Sequence, residues 1–295
     1  MSTVTLILNQ VINGLQSGSI YALVALGYSM VYGIILLLNF AHGDIIMVGT
    51  YVVWASIANF HLHPIPSAIL AIVVCALLGV TIEKVAYTPL RTAPRLSLLI
   101  TAIGISFLLE YGFQLIFGAG SQQVALASGN PLNLGSVSIS FSAMLTIVVS
   151  VICMVVLTFL VQKTKLGKAM RAVSEDMGAA QLMGISLNKT ISFTFAVGSA
   201  LAGVASVLYL YTYNGMTDPM MGSMLGLKAF VAAVLGGIGS IPGAMIGGFA
   251  IGLAEALVSA VGLSTWRDGV VFAILIVVLL VKPTGILGRP MTEKV

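Results

Sequence analysis

Long apolar runs alternate with short polar breaks along the whole chain. The first run, residues 6–38, is longer than the about 20 helical residues that cross a bilayer core, so it predicts a span plus a bend. Asn39-Phe40-Ala41-His42-Gly43-Asp44 then breaks the pattern, and a second span is expected over 45–59. A turn with His61, His63, Pro64 and Pro66 leads into a third span over 67–82. Spans over 98–117 and 141–161 bracket an uncharged segment, 118–140, and another over 191–211 ends in Asn214-Gly215-Met216-Thr217-Asp218-Pro219, whose residues favour turns. Apolar segments at 225–235, 244–261 and 270–281 complete about nine, which predicts eight to ten true spans. Composition agrees: 59% of residues are hydrophobic and 7% charged, against about 25% charged in soluble domains. The expectation is an all-α polytopic membrane protein with broken or re-entrant segments. No stretch is long and polar enough for a separate soluble domain, so residues 1–295 form a single integral membrane domain.

Charge gives the orientation. Lys84 is the first basic residue, so the N-terminus lacks the basic region of a signal peptide and the first run should stay as a span. Glu83, Lys84, Arg91 and Arg95 make a mainly basic loop, cytoplasmic by the positive-inside rule. Two crossings later comes 163–189, also basic, and three further crossings give a C-terminal segment with Lys282, Arg289 and Lys294. Nine spans would put the N-terminus outside, and one more or fewer would put it inside. The net charge of +4 is confined to loops, which fits membrane orientation and argues against nucleic-acid binding. Cys75 and Cys153 lie in apolar runs without paired spacing and read as packing residues, not metal ligands.

The segment 163–189 is the longest polar interval and holds five of the 13 Lys and Arg residues. As a helix over 168–183 it places Met170, Val173, Met177 and Ala180 on one stripe, with Lys168, Arg171 and Glu175 opposite. Gly167 and Gly184 suit its ends. Such an amphipathic helix either meets a partner outside the membrane or merely joins two spans.

Charged residues within apolar sequence are Asp44, Glu110, Lys228 and Glu255. Each is costly at membrane depth, roughly 2.5–3.5 kcal/mol on insertion scales for Asp, Lys or Arg, so interior-facing or paired positions are expected. Asp44 shares its break with His42 and Asn39 and is a pathway candidate. Glu110 and Glu255 read as structural carboxylates, and Lys228 either pairs with one of them or reaches the interface from a span end. The densest glycine region, 235–248, combines a helix break over 236–242 with small-xxx-small faces. The chain contains no glycine loop followed by Gly-Lys-Ser or Gly-Lys-Thr, and so no nucleotide site of that type. His42 with Asp44 is the nearest approach to a catalytic pair, and residues two apart on a helix do not face one another.

Gly178-Ala179-Ala180-Gln181-Leu182-Met183-Gly184 matches the alanines and glycine of the E-A-A-x-x-x-G signature by which permeases of ATP-driven importers dock on their ATPases, with Gly178 in place of Glu. Residues 21–44, Glu83-Lys84-Val85-Ala86-Tyr87, 171–185, 235–248 and Lys282-Pro283-Thr284-Gly285-Ile286-Leu287-Gly288-Arg289-Pro290 together resemble the permeases of high-affinity branched-chain amino-acid importers over nearly the whole chain. The resemblance implies the ABC importer permease fold and an inner-membrane protein passing leucine, isoleucine or valine inward. The implied partners are a second related permease, two cytoplasmic ATPase subunits that bind ATP and Mg, and a periplasmic amino-acid binding protein; this chain would bind no cofactor. It assigns ATPase coupling to Gly167, Lys168, Arg171, Glu175, Asp176, Ala179, Ala180 and Gly184. The two breaks then suggest a pathway at Asn39, His42, Asp44, Gly237, Gly239 and Pro242, since irregular backbone at membrane depth is tolerated where it lines a cavity. Permeases for urea or short amides, an ion-coupled carrier and an intramembrane enzyme are the rivals.

Overall fold

In the computed structural model, residues 3–35, 39–91, 93–126, 129–134 and 137–288 are described. Arg289, Pro290 and Lys294, and residues 36–38 of the first apolar run, lie outside them. The expected bend in the first run is absent: α1, Thr3–Ile35, is one continuous helix of 33 residues. At 1.5 Å per residue it is ~50 Å long and overshoots the hydrocarbon core. Its glycines serve packing. A Cβ at Gly14 would sit 2.9 Å from Ala256 Cβ, and one at Gly18 would sit 2.9 Å from the Phe249 Cα, so small residues let α1 lie directly on α10 (Ile241–Ala260).

The helices α2 (His42–Ala58), α3 (Pro64–Ile82), α4 (Arg95–Phe117), α5 (Phe141–Lys163), α8 (Leu187–Thr212), α9 (Met221–Gly236) and α11 (Arg267–Val281) follow the remaining apolar segments. Among the described residues, seven helical stretches are long and apolar enough to cross a membrane, while α2 and α9 are shorter apolar helices. Pro64 and Pro66 initiate α3 where a turn was expected, and His63 caps it. A π-helical turn, Glu83–Tyr87, continues it. The segment 163–189 forms two helices rather than one, α6 (Lys165–Glu175) and α7 (Met177–Leu182).

Among the described residues four short strands, invisible in the hydropathy pattern, tie loops at one end. β1 (Gln122–Gln123) pairs with β4 (Met216–Thr217), and β2 (Leu132–Leu134) with β3 (Val137–Ile139). Thus 118–140 and 214–219, placed on one side by counting crossings, do meet. At the other end Glu83 is buried and accepts hydrogen bonds from Arg91, Thr88 Oγ1 (2.7 Å) and Ser192 Oγ (2.6 Å), joining the first basic loop to the start of α8.

The core is built on α1, 83% buried over its apolar window, against which α8, α9 and α10 pack. By contrast α11 is 6% buried, and α4 and α5 present exposed Leu, Ile, Val and Phe side chains of the kind that face lipid.

Candidate functional site

The basic end carries an ordered polar ledge. Thr164 caps α6, its Oγ1 accepting from Gly167 N at 3.0 Å. Gly167 is buried where any Cβ would collide with the carbonyls of Leu160 and Val161, so α6 turns sharply off α5. Met170 and Val173 are buried beneath it, while Lys168, Arg171 and Glu175 face out. Asp176 ends α6 and caps α7, accepting from Ala179 N at 2.9 Å, which is why the expected single helix divides there. Ala180 is buried and Ala179 exposed, but Met177, assigned to the buried stripe, is 40% exposed because the break rotates α7 relative to α6. Gly184 ends α7 at φ +84°, a left-handed conformation open to glycine without strain. Leu182 and Met183, just before it, are 91% and 83% exposed. Sequence reasoning passed over both, although two adjacent large apolar residues in the most polar interval are themselves a signal.

Gly237, Gly239 and Pro242 stand beside this ledge, not next to Asp44. Gly239, Pro242, Arg171 and Lys163 share a cleft of about 750 Å³. The C-terminal segment closes over the turn, with Ile286 N donating to Leu235 O (2.8 Å) and Leu287 N to Gly236 O (2.9 Å). Gly237, at φ +104°, has no room for a side chain, since a Cβ would meet the Gly288 Cα at 2.6 Å.

Asn39, His42 and Asp44 form a second, deeply buried group. The break is shorter than expected: His42, Gly43 and Asp44 are the first turn of α2. The Asp44 carboxylate therefore lies at the positive end of a helix dipole. Its Oδ2 accepts from Ser106 Oγ at 2.5 Å, halfway along α4, and Glu110 one turn further acts on it electrostatically. Tyr87 OH donates to Asn39 Oδ1 at 3.1 Å, and the His42 ring meets Tyr28 edge-on at 5.0 Å. The start of α9 closes the group: a Cβ at Gly222 would lie 2.8 Å from the Asp44 Cα, and one at Gly43 equally close to the Gly226 Cα. Two short helices thus begin inside the membrane domain with their first turns in backbone contact. Asn39 Nδ2 and His42 Nε2 have no hydrogen-bond partner among the described residues, while the Asp44 and Glu110 carboxyls face each other. Each buried group without a partner costs about 1–3 kcal/mol, which is hard to explain as packing alone. Ser106 and the Gly222–Gly226 pair escaped sequence reasoning because hydroxyls and glycines are ordinary in membrane helices.

Lys228 pairs with Glu255 (2.8 Å), one of its two expected partners, and also with Asp268 (2.6 Å). Tyr21 OH donates to Glu255 Oε2 at 2.8 Å. This network joins α1, α9, α10 and α11, running from buried Glu255 out to half-exposed Asp268. No group of three or more metal-ligating side chains occurs among the described residues.

A family model described as "branched-chain amino acid transport system / permease component" matches residues 10–280. The chain belongs to that family. This permease is 47% identical to the high-affinity branched-chain amino acid transport system permease protein LivH of Salmonella typhimurium, over 98% of this chain and 97% of that one. It is 45% identical to the corresponding protein BraD of Pseudomonas aeruginosa, over 98% of each. A probable branched-chain amino acid transport permease of Methanocaldococcus jannaschii is 32% identical over 92% of this chain and 89% of its own length. No solved structure matches. The permease is a multi-pass membrane protein, with apolar helices throughout its length.

Proposed function

We propose that this chain is the transmembrane permease of an ATP-driven importer and passes leucine, isoleucine and valine across the inner membrane. The 47% end-to-end identity to a branched-chain amino acid permease carries this reading. Energy comes from separate ATPase subunits, and the chain itself binds neither nucleotide nor another cofactor. Two ATPases, a second related permease and a periplasmic binding protein complete the machine.

The ledge of α6 and α7 is the coupling element. Its helices are capped and braced against α5 and α8, so a force applied at Lys168, Arg171, Glu175 or the Leu182-Met183 knob is delivered to the spans. The buried group at Asn39, His42 and Asp44 marks the pathway, while Gly237, Gly239 and Pro242 belong to the gate end beside the ledge.

Reconstitution decides it. The assembled complex in proteoliposomes takes up labelled leucine when ATP and loaded binding protein are supplied, and the permease alone takes up none. Gradient-driven uptake by the isolated permease would instead establish an ion-coupled carrier. Uptake of urea or a short amide in preference to leucine would reassign the substrate.

A further inference from the structure

We infer a binding site for the zwitterionic head of a free amino acid at the end of the molecule opposite the coupling ledge. It lies in a cleft of about 370 Å³ between α1, α10 and the start of α11. The inference rests on the transport reading above and supplies a recognition site for it. Small-molecule sites run from about 300 to 1,000 Å³, so the cleft suits one small solute.

Its lining departs from the rest of the chain. Gln10, Asn13, Ser17, Ser264 and Arg267 border the cleft, and none has a hydrogen-bond or ion-pair partner among the described residues. Arg267 is exposed at the edge of the cleft and held by no carboxylate, since Asp268 beside it is taken by Lys228. Glu255 forms part of the same lining and is 7% exposed. Lys228 and Tyr21 hold it from behind, and an ionised carboxylate with two oxygens retains lone pairs for a third donor.

The cleft therefore shows a free guanidinium and a braced carboxylate that are not paired to each other. That is the charge pattern complementary to an α-carboxylate and an α-ammonium on one small molecule. Gly252, Ala256 and Ser259 complete the lining, with Gly252 packed so closely on Gly14 and Gly18 of α1 that the cleft has no room at its floor and would seat the charged head of the solute with the side chain outside. Arg267 holds the carboxylate, Glu255 the ammonium, and the free amides and hydroxyls of α1 replace water around both.

The test uses the complete complex in proteoliposomes, with ATP, loaded binding protein and labelled leucine. Ser264→Cys in a Cys153→Ser background is labelled with membrane-impermeant thiosulfonates of either charge. The anionic reagent should react several-fold faster than the cationic one, Arg267→Gln should remove the bias, and leucine turnover should slow labelling. Arg267→Gln should lower uptake roughly tenfold or more, the range for loss of a charge-assisted hydrogen bond, with the complex still co-purifying. Arg267→Lys should recover part of it, keeping charge without the fork. Labelling that leucine does not slow, or a labelled Ser264→Cys protein with unchanged uptake, overturns the site. Loss of co-purification in Arg267→Gln also overturns it, making the residue a subunit contact. If the unaltered complex takes up no leucine, the transport reading fails instead.

Discussion

The ledge of α6 and α7 and the buried group at the start of α2 are both polar interruptions in an apolar chain, yet they solve the backbone problem in opposite ways. On the ledge, Thr164, Asp176 and Gly184 satisfy or terminate the helix ends locally, and charged side chains remain in water. In the buried group no water shell helps, and the helix starts are satisfied by another helix: α9 lies on α2 through Gly43, Gly222 and Gly226. The ledge can thus tolerate surface change as long as its caps and its outward knob survive. The interior cannot tolerate a single added methyl group at its contacts, and it keeps polar atoms without partners. One region ends in exposed side chains, the other in backbone-to-backbone contact.

Five tests sharpen that contrast, from the largest effect down. Gly222→Leu forces side-chain atoms into the Asp44 backbone and should abolish folded permease in the membrane, above the about 1–3 kcal/mol of ordinary overpacking, because backbone cannot yield. Gly104→Leu, where no atom lies within 4 Å, is its control, and detergent-resistant protein measured by size exclusion separates them. Asp44→Ala, with His42→Ala beside it, should reduce leucine uptake at least tenfold while the complex still co-purifies, the cost expected for losing a buried hydrogen-bonded polar contact. Unchanged uptake would end the pathway assignment. Replacing Leu182 and Met183 by Ser should weaken ATPase co-purification by roughly tenfold, as removal of an apolar anchor does, without lowering the permease melting temperature. Arg171→Glu probes the same face by charge, and unchanged ATPase association together with unchanged transport would reduce the ledge to a linker. Asp176→Ala removes only a cap and should cost about 1 kcal/mol, read as a small drop in the melting temperature of the purified permease.

Much of the molecule was legible without coordinates, because the bilayer forbids most alternatives: apolar runs of sufficient length must be helices, and basic loops choose a side. The run-by-run positions of α2 to α5 and α8 to α11 follow from that, as does Gly184 as a helix end. The expected bend in α1 failed for a physical reason. Glycines that would weaken an isolated helix are compatible with a continuous one when α10 packs into the space they leave. The division at Asp176 was missed because a cap competes with helix continuation only through local geometry, and charge periodicity does not register it.

The sequence by itself thus determined the class and the family, since those depend on hydrophobic length and ordered blocks of residues. Tertiary structure alone decided which polar residues share a site. It separated Gly239 from Asp44 and set it beside Arg171, brought Ser106 to Asp44, chose Glu255 and Asp268 for Lys228, and left Arg267 free. These pairings arise between helices distant in sequence, and the depth and rotation at which such helices meet is set by side-chain packing, which no single segment encodes.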